Sequence, residues 1–194
     1  MHTFEATFET IDRSVQQIFA RWKIYNQLFD SGEENVALLN ASGSNVFFLL
    51  QRLLLDDTIL AISRLTDPPA TGKNDNASIT RLAALARPSL APSVASEVDA
   101  SLARLAQHVI NARRHRDKAI AHADLQHAVD SLALPEIAYG ELEGAIQELE
   151  KLMLRLGSSS VRRVGGYEPV LAFGTDGNAL LQELRKAKAV QSVG

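Results

Sequence analysis

From Phe4 through Phe8, Ile11, Val15, Ile18, Trp22 and Tyr25 to Phe29, the apolar residues are spaced 4, 3, 4, 3, 4, 3 and 4 positions apart. That spacing follows one face of an α-helix. A strand, whose side chains alternate between two faces, could not bury it. The heptad is sustained over the whole stretch, so the rest of the chain must supply other amphipathic helices to cover the stripe.

It does so in order. Ser31-Gly32 ends the first helix, and Glu33 to Asn40 reads as a short helical piece before a second break at Ser42-Gly43-Ser44. From Asn45 to Leu65 the chain is apolar nearly all round, which predicts a central helix. Asp56 and Asp57 interrupt it, Asp57 on the face of Phe47, Leu50, Leu54, Ala61 and Arg64. Each carboxylate can reach solvent, pair with Arg52 or Arg64 on its own helix, or cross to another helix. Pro68-Pro69 then stops the helix, since proline cannot continue the backbone ladder.

A polar loop through Gly72 to Asn76 precedes a short helix over about Ala77 to Ala86, and Pro92 stands where a first-turn proline starts the next. That helix is expected to run to at least Ala121. After Pro135, a helix from Tyr139 to Leu156 turns Leu142, Ile146, Leu149, Met153 and Leu156 inward, and Gly157 to Ser160 ends it. Val161 to Gly174 reads as a packed irregular stretch or a short extended arm, and Asp176 caps a final helix. The expected fold is all-α: a single domain over 1–194, an antiparallel helical bundle with long central helices.

Composition narrows the function. A 194-residue chain with 46% hydrophobic residues can bury one sizeable core. With no cysteines it has neither disulfides nor thiolate zinc sites. The longest wholly apolar run, Val46 to Leu50, is far short of the ~20 residues of a membrane span. The first residues, Met1-His2-Thr3-Phe4-Glu5, lack the basic and apolar pattern of a signal peptide. A cytoplasmic protein with no membrane partner is expected. At net charge −3 the chain as a whole does not attract nucleic acid, so any RNA contact must be local. No group of His, Asp and Glu has metal-ligand spacing, and no metal or cofactor is expected.

One local departure stands out. Counting along Val94, Val98, Leu102, Leu105, Val109 and Ala112 brings the same helix face to Arg116. A guanidinium cannot lose its proton and is costly to bury unpaired, so it needs a carboxylate, solvent or an anionic ligand. His122 follows six residues later. On a straight helix the two side chains diverge by roughly 120° and lie about 9 Å apart along the axis. Either the helix ends between them or a second copy of the chain completes the site.

The run Arg113-Arg114-His115-Arg116-Asp117-Lys118-Ala119-Ile120-Ala121-His122-Ala123-Asp124 resembles the Arg-x(4 to 6)-His signature of the HEPN superfamily of nucleotide-binding and RNA-cleaving helical domains. Together with Asp56-Asp57-Thr58-Ile59-Leu60-Ala61-Ile62-Ser63-Arg64-Leu65-Thr66-Asp67, it resembles the AbiU-type abortive-infection branch. The resemblance implies metal-independent RNA cleavage, with His122 moving the proton and Arg116 stabilising the phosphate. Arg113, Arg114, His115 and Lys118 would guide the RNA backbone, and Asp57 and Asp117 would support the site. Asp117 stands where the family most often has asparagine. The implied partners are RNA, a second copy in a homodimer whose interface includes Arg113 to His122, and a cognate antitoxin.

Two other readings remain open from the sequence. In one, a non-catalytic helical dimer binds RNA, a nucleotide or a cognate regulator through the Arg/His cleft. In the other, Arg116 is structural and held by Asp56 or Asp57, with Asp57 expected to reach Arg116, Arg113 or Arg64.

Overall fold

The computed structural model describes residues 3–120, 137–158, 165–169, 171–172 and 174–191. Helix α1 spans Phe4–Phe29 and α2 Glu33–Leu65, with helical dihedrals interrupted at Gly43. A two-residue strand pair follows, β1 Ala70–Thr71 against β2 Asn74–Asp75, antiparallel around Gly72. Gly72 takes φ +61°, which glycine adopts without a Cβ penalty. Then come α3 (Ile79–Ala86), α4 (Pro92–His108), α5 (Ile110–His115), a π-helical turn (Arg116–Ile120), α6 (Tyr139–Ser158) and α7 (Gly177–Gln191). The architecture is all-α, as the periodicity requires. No helix among the described residues is long and apolar enough to cross a membrane.

The chain divides into two compact units. The first comprises Met1–Ile18 and Ile59–Tyr167. Its core is drawn from Phe8, Ile11, Val15 and Ile18 of α1, Ile59, Ile62 and Leu65 of α2, Leu82 of α3, Val98 and Leu105 of α4, and the inward face of α6. All five residues expected to line that face, Leu142, Ile146, Leu149, Met153 and Leu156, are buried. Burying a side chain of that size contributes roughly 1.5–3 kcal/mol relative to leaving it in water.

Helix α4 packs antiparallel to α6, and three polar bridges, two from α4 and one from α5, fix the register. Glu97 accepts from Arg155 (2.9 Å), Glu148 from Arg104 (3.0 and 3.1 Å) and Glu141 from Asn111 (2.9 Å). Each bridge lies one heptad from the last along both stretches of chain, so all three share one seam. His108 sits over Gly144 on the same seam, its ring filling the space a Cβ would take. Glu148 is buried. Burial pushes its carboxyl up, but N–H bonds from Arg104 and Lys151 and the Ser101 hydroxyl outweigh that and bring it to about 2.

Beyond α6, Tyr167 is buried. Its hydroxyl donates to Asp12 and its backbone N–H to Glu150 (3.0 Å). Burial first, and the Asp12 carboxylate second, hold the phenol far above its usual range.

The second unit comprises Phe19–Thr58 and Glu168–Gly194. Leu28, Leu39 and Leu181 form its centre, flanked by Ile24, Phe29, Leu38, Phe47, Leu50 and Leu184. The start of α7 is fixed twice over. Asp176 accepts from the Ala179 N–H (3.0 Å), the cap expected from the sequence, and the Gln27 side chain bridges Asp176 and the Gly177 N–H, both at 2.9 Å.

The expectation that Asn45 to Leu65 is enclosed holds only for its end, where Thr58, Ile59, Ile62, Ser63 and Leu65 are buried. Val46, Phe48, Leu49 and Leu53 are more than half exposed. Apolar residues all round a helix show that every face could be buried, and only the available neighbours decide which faces are.

Candidate functional site

The apolar stripe of α4 behaves as its spacing requires. Val98, Leu105, Val109 and Ala112 are buried, Val94 and Leu102 half-buried, and the stripe arrives at Arg116. The helix expected to run unbroken from Pro92 to Ala121 is instead three pieces. Val109, with φ −95° and ψ 2°, separates α4 from α5, and from Arg116 the chain winds as a π-turn. The break falls at Val109-Ile110, two β-branched residues whose stiff side chains make them weak helix formers. Backbone bonds cross the break, from Val109 N–H to Leu105 (3.2 Å) and from Arg113 N–H to Val109 (2.9 Å). The direction of the stripe is therefore kept.

Arg116 has 20% of its side chain exposed and is paired. Its Nη1 donates to Asp67 Oδ1 at 2.7 Å and its Nε to Asp117 Oδ1 at 2.8 Å. Arg113 donates to the same Asp67 oxygen at 2.8 Å. Two guanidiniums thus converge on one carboxylate oxygen, one helical turn apart on α5 and the π-turn. Burial raises the Asp67 carboxyl, but the N–H bonds and charges of Arg116 and Arg113 outweigh it and leave the group below the usual range. Burial alone would lower Arg116, and Asp67 and Asp117 reverse that, holding it still more firmly protonated.

Around this pair, Arg114 and Lys118 are exposed and His115 is half-buried. Arg113, Arg114, Arg116 and Lys118 oppose Asp67 and Asp117, so an excess of positive charge remains. His122, the residue assigned to proton transfer, lies outside the described residues, as do His2 and His127.

Asp57 does not take the supporting place expected of it. It pairs with Arg21 of α1 at 2.7 Å, both within the second unit, and 54% of its side chain is exposed. Asp56 lies 3.7 Å from Arg52 on its own helix. The carboxylate that holds Arg116 is Asp67, which the sequence offered only as the last residue of the Asp56 to Asp67 phrase. Ten residues separate the two, and what decides between them is that the end of α2 carries Asp67 to α5 within the same compact unit. The available signal was its position closing the Arg64-Leu65-Thr66-Asp67 phrase, but no spacing rule links that phrase to Arg116.

Comparison with known proteins gives the chain a family. The family model HEPN_AbiU2, described as AbiU2, matches residues 1–159, a span that holds α1 to α6 and the whole Arg113 to Asp124 run. No curated protein and no solved structure matches the chain. By the family match, this chain belongs to the AbiU2 family of HEPN domains.

Proposed function

We propose that this chain is a metal-independent endoribonuclease of the HEPN type, acting in an abortive-infection or toxin–antitoxin setting on single-stranded or looped RNA. The observation that carries the reading is the convergence of Arg113 and Arg116 on a single anionic oxygen, at 2.8 and 2.7 Å. A non-bridging phosphate oxygen presents the same acceptor, and arginine's planar fork suits it. In the reaction the ribose 2′-OH attacks the adjacent phosphorus, the bond to the 5′ oxygen breaks, and a 2′,3′-cyclic phosphate and a 5′-OH result. His122 takes the 2′-OH proton and, as imidazolium, returns one to the leaving oxygen, a role suited to a group titrating near neutrality. Arg116 stabilises the charge that develops on the phosphorane. Arg113, Arg114, His115 and Lys118 hold the RNA backbone with little sequence preference.

Purified protein is expected to cut RNA in the presence of EDTA and to leave cyclic phosphate ends. Arg116→Ala and His122→Ala should each abolish cutting with the circular dichroism spectrum unchanged. A second reading, a non-catalytic binder of RNA, a nucleotide or a cognate regulator, is favoured by one observation: Asp67 and Asp117 both occupy Arg116, so a phosphate must compete with two carboxylates. Wild-type protein that binds RNA through these residues and never cuts it would establish that second reading.

A further inference from the structure

Between the start of α1 and the β1–β2 hairpin, the first compact unit holds a cavity of about 260 Å³. Thr7 and Thr10 of α1, Asp75 and Asn76 at the end of the hairpin, and Arg81 of α3 supply its polar atoms, and Ala6 and Ala77 add methyl groups. It is smaller than the ~300–1,000 Å³ of pockets for drug-sized ligands, so its occupant is one small molecule. The hydrogen bonds within its wall decide what it offers. Thr7 gives its hydroxyl proton to the Thr3 carbonyl and Thr10 to the Ala6 carbonyl, both at 2.9 Å. Asn76 gives its amide protons to the Pro68 carbonyl (2.9 Å) and the Thr71 hydroxyl (2.8 Å). All three side chains therefore meet a ligand as acceptors. Arg81, 16% exposed, gives one N–H to Asp75 Oδ2 at 2.8 Å, and among the described residues neither side chain makes another bond. Asp75 Oδ1 is left as a negatively charged acceptor, and the Nε–H and Nη1–H groups of Arg81 as positively charged donors.

We infer that this cavity binds a free α-amino acid. Its ammonium group has three donors, which Asp75, Asn76 and the threonine hydroxyls accept, and its carboxylate takes the N–H groups of Arg81. The two charges hang from one carbon, as Asp75 and Arg81 stand side by side in one ion pair, so each charge of the ligand meets its opposite. The alanine methyls favour a small side chain, such as that of alanine or serine. Other ligands match the wall less well. Arg81 repels a metal ion, and Asp75 and the acceptor-only side chains repel a lone phosphate. A nucleobase is commonly stacked on an aromatic ring, and among the described residues none lines the cavity. The Asn76 amide that faces the ligand also holds Pro68, the neighbour of Asp67, so the site adjoins the segment that pairs with Arg116. None of its residues belongs to the arginine pair, and the inference does not depend on the ribonuclease reading.

Isothermal titration of the full chain with L-alanine and with L-serine should show saturable binding of one molecule per chain. L-Alaninamide, which lacks the carboxylate, and N-acetyl-L-alanine, which lacks the ammonium, should each bind roughly tenfold more weakly or worse, the effect of losing one charged hydrogen-bonding group. Asp75 and Thr10 are exposed, so Asp75→Asn with Thr10→Val should keep the thermal midpoint of the ligand-free chain. L-Alanine should raise the midpoint of the wild type and leave that of the double variant where it was. A wild type that binds neither amino acid overturns the inference. So does equal binding of the two blocked forms, or binding that survives the double variant. A cavity that takes guanosine and refuses both amino acids overturns it as well.

Discussion

Arg116 and Asp67 stand 49 positions apart in the chain and 2.7 Å apart in the fold, and the same carboxylate oxygen also takes Arg113. Without that carboxylate, two half-buried guanidiniums would face each other. Their repulsion would separate them, so Asp67 holds the pair in register whatever ligand the pair receives.

Asp67→Asn is therefore expected to destabilise the chain by roughly 1–3 kcal/mol, the range for leaving charged hydrogen-bonding groups without their partner, and toward the lower end because the site is partly solvated. The pH dependence has a definite sign. The folded carboxyl titrates below the unfolded one, so its contribution is fully present above the unfolded value of 3.8 and is lost as pH falls through the lower, folded value. Urea melts of the two proteins should differ at neutral pH and converge in acid.

Glu148 gives a second acid-sensitive contact, on the α4–α6 seam. Its carboxyl is held at about 2 against 4.5 when unfolded, so its contribution is present above pH 4.5 and is lost between there and about 2. Glu148→Gln should cost roughly 1–3 kcal/mol in urea titration at pH 7 and little at pH 2. The half-exposed Arg104 and Lys151 can rehydrate, which keeps the loss modest.

For Asp57 the expectation is reversed from that of a buried pair. Its bond to Arg21 is solvent-facing, so Asp57→Ala should change stability by less than about 1 kcal/mol. Equal urea midpoints for wild type and variant would bear this out, and a loss of several kcal/mol would show that the carboxylate holds more than Arg21.

At the proposed reaction centre Asp117 is the residue to vary. It accepts from Arg116 Nε at 2.8 Å and half of its side chain is exposed. Asp117→Asn removes a negative charge from the phosphate's path, and RNA affinity should rise. If the wild type proves inert, this variant should recover cleavage, measured as cyclic-phosphate product. Lys118→Ala should mainly weaken binding and reduce the slope of log affinity against log salt by about 1.

The sequence by itself determined the helices and the faces they bury. The heptad from Phe4 to Phe29 became α1 with the same ends, the α6 stripe is buried throughout, Asp176 caps α7, and Arg116 lies on the buried stripe of α4. These follow from periodicity and capping, which act within a few residues and can be read off a linear chain. The tertiary structure alone decided that Asp67 and not Asp57 holds Arg116, that the helix breaks at Val109, and that the middle of α2 stays bare. Each of these depends on which element arrives opposite. Choosing between two carboxylates ten residues apart on the same stretch of chain is a matter of packing between distant segments, and no local pattern encodes it.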